Sequence, residues 1–159
     1  MEINILIEDK FKNRLTRKFL KQVASEVLKA ENAGDNVEMG ILITSQEKIK
    51  ELNRDYRGKD EPTDVLAFQM ITEQVQRAID LFVMPPDDIR HLGEVVISYP
   101  QAIIQAREHK HPVKKEIAIL LIHGILHLLG YDHEKTSDEK RMRDRETAIL
   151  DLLTNKHIV

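Results

Sequence analysis

The alternation of apolar and polar residues divides the chain into short strands and longer helices. "INILIE" (3–8) is brief and rich in isoleucine, which predicts a strand. Leu15, Phe19, Val23, Val27 and Leu28 then recur every three or four residues, the single apolar stripe of a long helix. "AGDN" breaks it. "VEMGILITS" (37–45) reads as a second strand, with Ser45 placed to cap the helix that follows. That helix carries Ile49, Leu52 and Tyr56 and ends near Gly58. "KDEPTD" is turn chemistry, "VLAFQ" (65–69) a third strand, and "GEVVIS" (93–98) a fourth. Ser98 and Pro100 suit the opening of a helix through Arg107. Pro112 restarts a helix running to Leu129, where Gly130 suits a left-handed cap. "TSDE" (136–139) reads as a capping box opening a mixed-charge helix to about Leu153. The stretch 70–91 reads as a loop around "MPPDD" with room for a short helix. The interleaving predicts one α+β domain over residues 1–159, a mixed sheet of about four strands covered by about five helices.

Composition narrows the function classes. The chain has 159 residues and no cysteine, which excludes disulfides and thiolate metal ligands. The N-terminus lacks a basic segment followed by a long apolar run, and Ile117–Leu129 is too short to span a bilayer. The expectation is a cytoplasmic protein with no membrane partner. Lys and Arg total 24 against 27 Asp and Glu, so net charge alone does not mark a nucleic-acid binder. Its distribution permits one. Residues 9–31 hold seven basic and three acidic side chains, and "REHKHPVKK" (107–115) holds four and one. Either cluster is also an ordinary solvated face.

The stretch "LLIHGILHLLGYDH" (120–133) carries the chemistry. Each helical residue advances 100°, so His123 and His127 lie about 40° apart on one face and one turn apart in height. Gly130 then turns the chain, and His133 can approach the same point from a third direction. Three imidazoles suit one zinc ion per chain, or another divalent metal in its place, at the end of a buried helix. Three protein ligands leave a coordination position for water, the pattern of catalytic zinc. The competing reading is a set of hydrogen-bonded core histidines; three unpaired imidazoles on such an apolar face would cost about 1–3 kcal/mol each. The spacing H-x-x-x-H-x-x-G-x-x-H is that of the metzincin proteases, whose general-base Glu follows the first His. Here that position is Gly124. Glycine there either leaves room for a substrate group or serves a packing contact between helices.

"HGILHLLGYDH" also resembles the signature of the YbeY family of rRNA-maturation endoribonucleases, as do "LNRDYRGKDEPTDVLAF" (52–68) and "LGEVVIS" (92–98). The resemblance extends over essentially the whole chain. It departs at Ala67, commonly Ser in the family, and at Glu94, commonly Asp. The resemblance implies a metal-dependent hydrolase with His123, His127 and His133 as ligands. It implies a substrate of single-stranded RNA, a role at the 3′ end of small-subunit rRNA and in ribosome quality control, and partners on the small ribosomal subunit. It maps the family's functional arginine onto Arg57.

Read locally, Arg57 sits at a helix end before Gly58, where a guanidinium can fork onto two phosphate oxygens and stabilise developing charge. It can equally answer the helix dipole or pair with Asp60 or Asp64. Asp64 reads as a turn-shaping residue, and Asp132 as a turn residue or an acceptor that orients a histidine. Glu116, seven residues before His123, is a reserve candidate for proton transfer. No residue stands out as general base, so a metal-activated water or the RNA 2′-hydroxyl could attack. Two rival classes remain open: a metalloprotease-like hydrolase with another base, and a non-catalytic ribosome-associated factor stabilised by its metal.

Overall fold

The computed structural model describes residues 1–69, 89–132 and 135–159. Among them run four strands, β1 (Glu2–Ile7), β2 (Val37–Thr44), β3 (Val65–Gln69) and β4 (Arg90–Ser98). Five α-helices accompany them: α1 (Arg17–Ala30), α2 (Gln46–Arg57), α3 (Tyr99–His109), α4 (Val113–Leu128) and α5 (Thr136–Asn155). The sheet order is β1-β2-β4-β3. β2 lies parallel to β1 and β4, and β3 runs antiparallel along β4 as an edge strand. The α+β class and the mixed four-stranded sheet match the sequence expectation.

Polar residues stop and start these elements where the sequence places them. The Ser45 hydroxyl accepts from Lys48 N at 3.2 Å and the Ser98 hydroxyl from Gln101 N at 3.3 Å, each satisfying an N–H that the first helical turn leaves free. Gly58 ends α2 with φ +70° and Gly130 follows α4 with φ +100°, a region where a Cβ would be strained. The "TSDE" capping box is not formed. Thr136 is already the first helical residue, Lys135 occupies the cap position, and no side-chain cap bond is made there. Glu139 instead reaches forward to Arg143 at 3.4 Å. Of the stretch 70–91, residues 90 and 91 belong to β4, which starts earlier than "GEVVIS", and the reading of 70–88 lies outside the described residues.

α1 and α4 cover one face of the sheet, and α2 covers the other. Strand alternation separates the two: Val95 and Ile97 join the main core, whereas Val96 joins Leu66 and Ile49 beneath α2. α4 is apolar over most of its surface because α1, α3, α5, β3 and β4 pack against it, with His123 and His127 half-buried on the remaining side. Its Ile117, Leu121, Ile122, Ile125 and Leu126 are fully buried and each contributes about 1.5–3 kcal/mol. No described helix is long and apolar enough to cross a membrane.

Gly124 sits where α4 presses on the sheet. A Cβ there would lie 2.6 Å from Val95 Cγ1 and 3.4 Å from Val65 Cγ2. Its small size therefore serves helix-on-strand packing, not the helix–helix contact the sequence suggested. Gly124→Ala should destabilise the fold by about 1–3 kcal/mol through overpacking, with partial recovery in the Gly124→Ala/Val95→Ala double variant. Urea unfolding of the three proteins measures both effects; equal stability of Gly124→Ala and the parent would contradict the contact.

Candidate functional site

The groove between the end of α4 and the edge strand β3 gathers the polar residues. It has a volume of about 600 Å³, and its lining includes Arg57, Asp64, Gln69, His123, His127 and Asp132. Arg57 comes from the last turn of α2 on the opposite face of the sheet, yet reaches the same groove as the two histidines. Among the described residues β3 is the edge strand of the sheet, and side chains from both faces meet in the groove beside it. Gln69, at the end of β3, donates to the His127 carbonyl at 3.0 Å and ties the two walls together.

His123 and His127 are brought together as their spacing predicts. Their Nε2 atoms face each other at 3.1 Å, and their rings meet edge-on with centroids 4.6 Å apart. Each Nδ1 has its own partner: Glu146 Oε1 on α5 lies 2.7 Å from that of His123, and the Tyr131 carbonyl 3.0 Å from that of His127. A carboxylate and a carbonyl both accept, so each Nδ1 carries the proton and each Nε2 turns a lone pair inward. Two facing lone pairs repel unless a proton or a cation lies between them. Tetrahedral ligation at about 2.0–2.1 Å puts two nitrogens about 3.3–3.4 Å apart, close to the separation here. The donor set fits a divalent ion. His133, the third histidine of the sequence motif, lies outside the described residues.

The residues that orient these rings were not found from the sequence. Glu146 is carried by α5, a helix whose mixed charges look merely solvated. Tyr131, whose carbonyl holds His127, is itself fixed: its hydroxyl donates to Glu31 Oε2 at 2.7 Å, and Arg141 lies over its ring at 5.1 Å. Arg145 Nε donates to the other Glu31 oxygen at 2.7 Å. Burial and then the Glu31 carboxylate push the Tyr131 hydroxyl pKa up, while the hydrogen bond to Glu31 raises that of Arg145. Asp132 lines the same groove, and Glu146 and the Tyr131 carbonyl hold the two rings at Nδ1.

The remaining candidates separate cleanly. Asp64 shapes the turn, as expected: its Oδ1 accepts from Val65 N at 2.7 Å. Asp60 pairs with Lys50 at 4.0 Å, and among the described residues Arg57 forms no ion pair with either aspartate. Ala67 lines the groove at the family's serine position, so no hydroxyl projects there. Glu94 packs over Gly40 on the sheet face away from α4. Glu116 does not turn toward His123. It is 1% exposed and faces the corner between α3 and α4, where His109 Nδ1 at 3.0 Å, His111 Nε2 at 2.5 Å and Gln105 Nε2 at 3.1 Å surround it. Burial pushes its carboxyl pKa up, but these hydrogen bonds together outweigh burial and hold it below the usual range. His109, His111 and Glu116 form a group that could hold a metal ion.

Known proteins place this architecture. The model of the endoribonuclease YbeY family matches residues 2–154. A protein of Dehalococcoides mccartyi named Endoribonuclease YbeY is 54% identical over 160 residues, covering 99% of this chain and 93% of the relative. One of Chloroflexus aurantiacus with the same name is 43% identical over 135 residues, 84% of each. A solution structure of a Thermotoga maritima protein superposes with a TM-score of 0.62 at 30% identity, covering 97% of this chain and 90% of that one. A single-domain α+β protein with a paired-histidine groove is thus matched over nearly its full length. The chain belongs to the YbeY endoribonuclease family.

The Glu31 network should measurably brace the site. Arg145→Ala leaves the Glu31 carboxylate, 10% exposed, with one partner fewer and should cost about 1–3 kcal/mol. Glu31→Gln in the same chain should return part of that loss, read as a coupling energy in a double-mutant cycle by urea unfolding; strict additivity would contradict the bracing role.

Proposed function

We propose that this chain is a divalent-metal-dependent endoribonuclease of rRNA maturation that cuts single-stranded RNA in the α4–β3 groove. His123, His127 and His133 hold the ion, and Arg57 holds the phosphate. The observation that carries the reading is the inward-facing Nε2 pair at 3.1 Å, each ring tied at Nδ1, in one groove with Arg57. His133 joins on spacing, three residues after the Gly130 turn. The family relatives, each named as an endoribonuclease, supply the substrate class. Maturation of the 3′ end of small-subunit rRNA, action with the small subunit in quality control and a cytoplasmic site of action follow the resemblance of the sequence motifs to that family.

When bound, a zinc or similar ion supplies an acidified water and a Lewis acid for a phosphoryl oxygen. The protein's own residues do the rest. Glu146 and the Tyr131 carbonyl keep both Nδ1–H groups outward, so the lone pairs stay available at Nε2. Arg57 offers a planar fork to two non-bridging phosphate oxygens and neutralises charge as it grows on them. Among the described residues the groove runs beside an edge strand, a setting that suits an extended single strand better than a duplex.

The peptidase alternative meets a steric obstacle. A metzincin base would have to replace Gly124, where even a Cβ collides with Val95. The non-catalytic alternative finds no support in relatives that bear the name of an enzyme.

Metal-loaded protein should cleave single-stranded RNA and spare the duplex. Arg57→Ala, on the surface at a helix end, should stay folded and lose about 10²–10³-fold in turnover. Gel assays with both RNAs test this, and end-group analysis separates a 2′,3′-cyclic phosphate, from ribose attack, from a 5′-phosphate, from water attack. Native-rate cleavage by Arg57→Ala would remove it from the reaction.

A further inference from the structure

The cluster at the α3–α4 corner is a second place where metal-ligating atoms converge. α3 ends at His109; Lys110 then adopts the left-handed conformation (φ 55°, ψ 44°), which reverses the chain in a single step. His111 follows, Pro112 caps α4, and Glu116 lies in the first turn of α4. The reversal aims His109 Nδ1, His111 Nε2 and Glu116 Oε2 at a common point, all within 4.8 Å of one another.

Two imidazole nitrogens and one carboxylate oxygen are the donor set of a borderline divalent ion, zinc foremost, with cobalt, nickel and copper as relatives. The carboxylate is prepared for the task. Its other oxygen, Oε1, accepts from Gln105 Nε2 at 3.1 Å, which fixes its orientation and leaves Oε2 to the imidazoles. Gln105 is held in turn, its side-chain oxygen accepting from Gln101 Nε2 at 3.3 Å. The buried carboxylate already draws both imidazoles to Oε2, so an ion among these three atoms would exchange those two hydrogen bonds for ligand bonds. Access is open, because the His109 side chain is 54% exposed.

We infer that His109, His111 and Glu116 form a second divalent-cation site that locks the α3–α4 corner. It is separate from the groove. Glu116 lies seven residues before His123 along α4, about 10 Å of helix axis. It nevertheless reports to the groove, since Gln105 Nε2 also donates to Asp64 Oδ2 at 3.3 Å, and Asp64 lines the groove wall at the start of β3. Its role is to hold a corner and a wall, with no part in bond cleavage.

Zinc uptake by full-length, metal-stripped protein tests the site, read by competition with a chromophoric chelator and by the absorption of the cobalt form. His109→Gln is the deciding variant: glutamine keeps a donor for Glu116 but replaces the ligating imidazole. The His123→Ala/His127→Ala protein, with circular dichroism confirming its fold, should still bind one zinc and gain thermal stability from it. Adding His109→Gln should abolish both effects. In the otherwise unaltered chain, His109→Gln alone should lower the zinc stoichiometry by one, and Glu116→Gln should do the same. Zinc uptake that is indifferent to His109→Gln and Glu116→Gln overturns the inference. A wild-type stoichiometry of one, lost in His109→Gln, would support this site while refuting the ion in the groove; one lost only in His123→Ala/His127→Ala would do the reverse.

Discussion

The close seating of α4 on the sheet is the contact on which the other features depend. With no side chain at Gly124, the helix backbone approaches Val95 and Val65 more closely than any other residue would allow. The histidines flank that point of nearest approach, one beside it and one a turn further on. Their height above the sheet, and so their distance from the β3 edge, is set there. Arg57 arrives from the opposite face of the sheet. A helix seated further out would leave the histidines and the guanidinium in different places, each with sound local structure and no shared groove.

Orientation is a separate matter from position. An imidazole can rotate about its stem, and what stops it here is drawn from several elements: Glu146 from α5, and the Tyr131 carbonyl from the turn after α4. That turn is anchored by Glu31 at the end of α1 and by Arg145 of α5. The carboxylate of Glu31 accepts from both Tyr131 and Arg145, so a single side chain links the ends of α1 and α4 to the middle of α5.

Much of this was legible along the chain. Apolar periodicity located the strands and helices, and Ser45, Ser98, Gly58 and Gly130 marked their ends. The pairing of His123 with His127 follows from helical geometry alone. What escaped was long-range. Glu146 stands 23 residues from His123 and Arg145 stands 114 from Glu31, and a charge on a mixed-charge helix does not announce its partner. Helical phase suggested that Glu116 would face His123's side, but the corner at Lys110 supplies two imidazoles, His109 from the end of α3 and His111 from the turn after it, and a buried carboxylate goes to its donors. Gly124 was noticed, yet its neighbour is a strand valine that the local sequence gives no means of naming.

The groove stands at the C-terminal ends of α2 and α4, the negative ends of their dipoles, and Asp64 and Asp132 add to the same wall. This is an unwelcoming surface for a polyanion. Under the proposed reading, a phosphodiester can rest there only beside compensating cations, so metal and nucleic acid each raise the affinity for the other by one common factor. Occupancy by either is thereby made conditional on its companion, a reciprocity written into where two helices happen to stop.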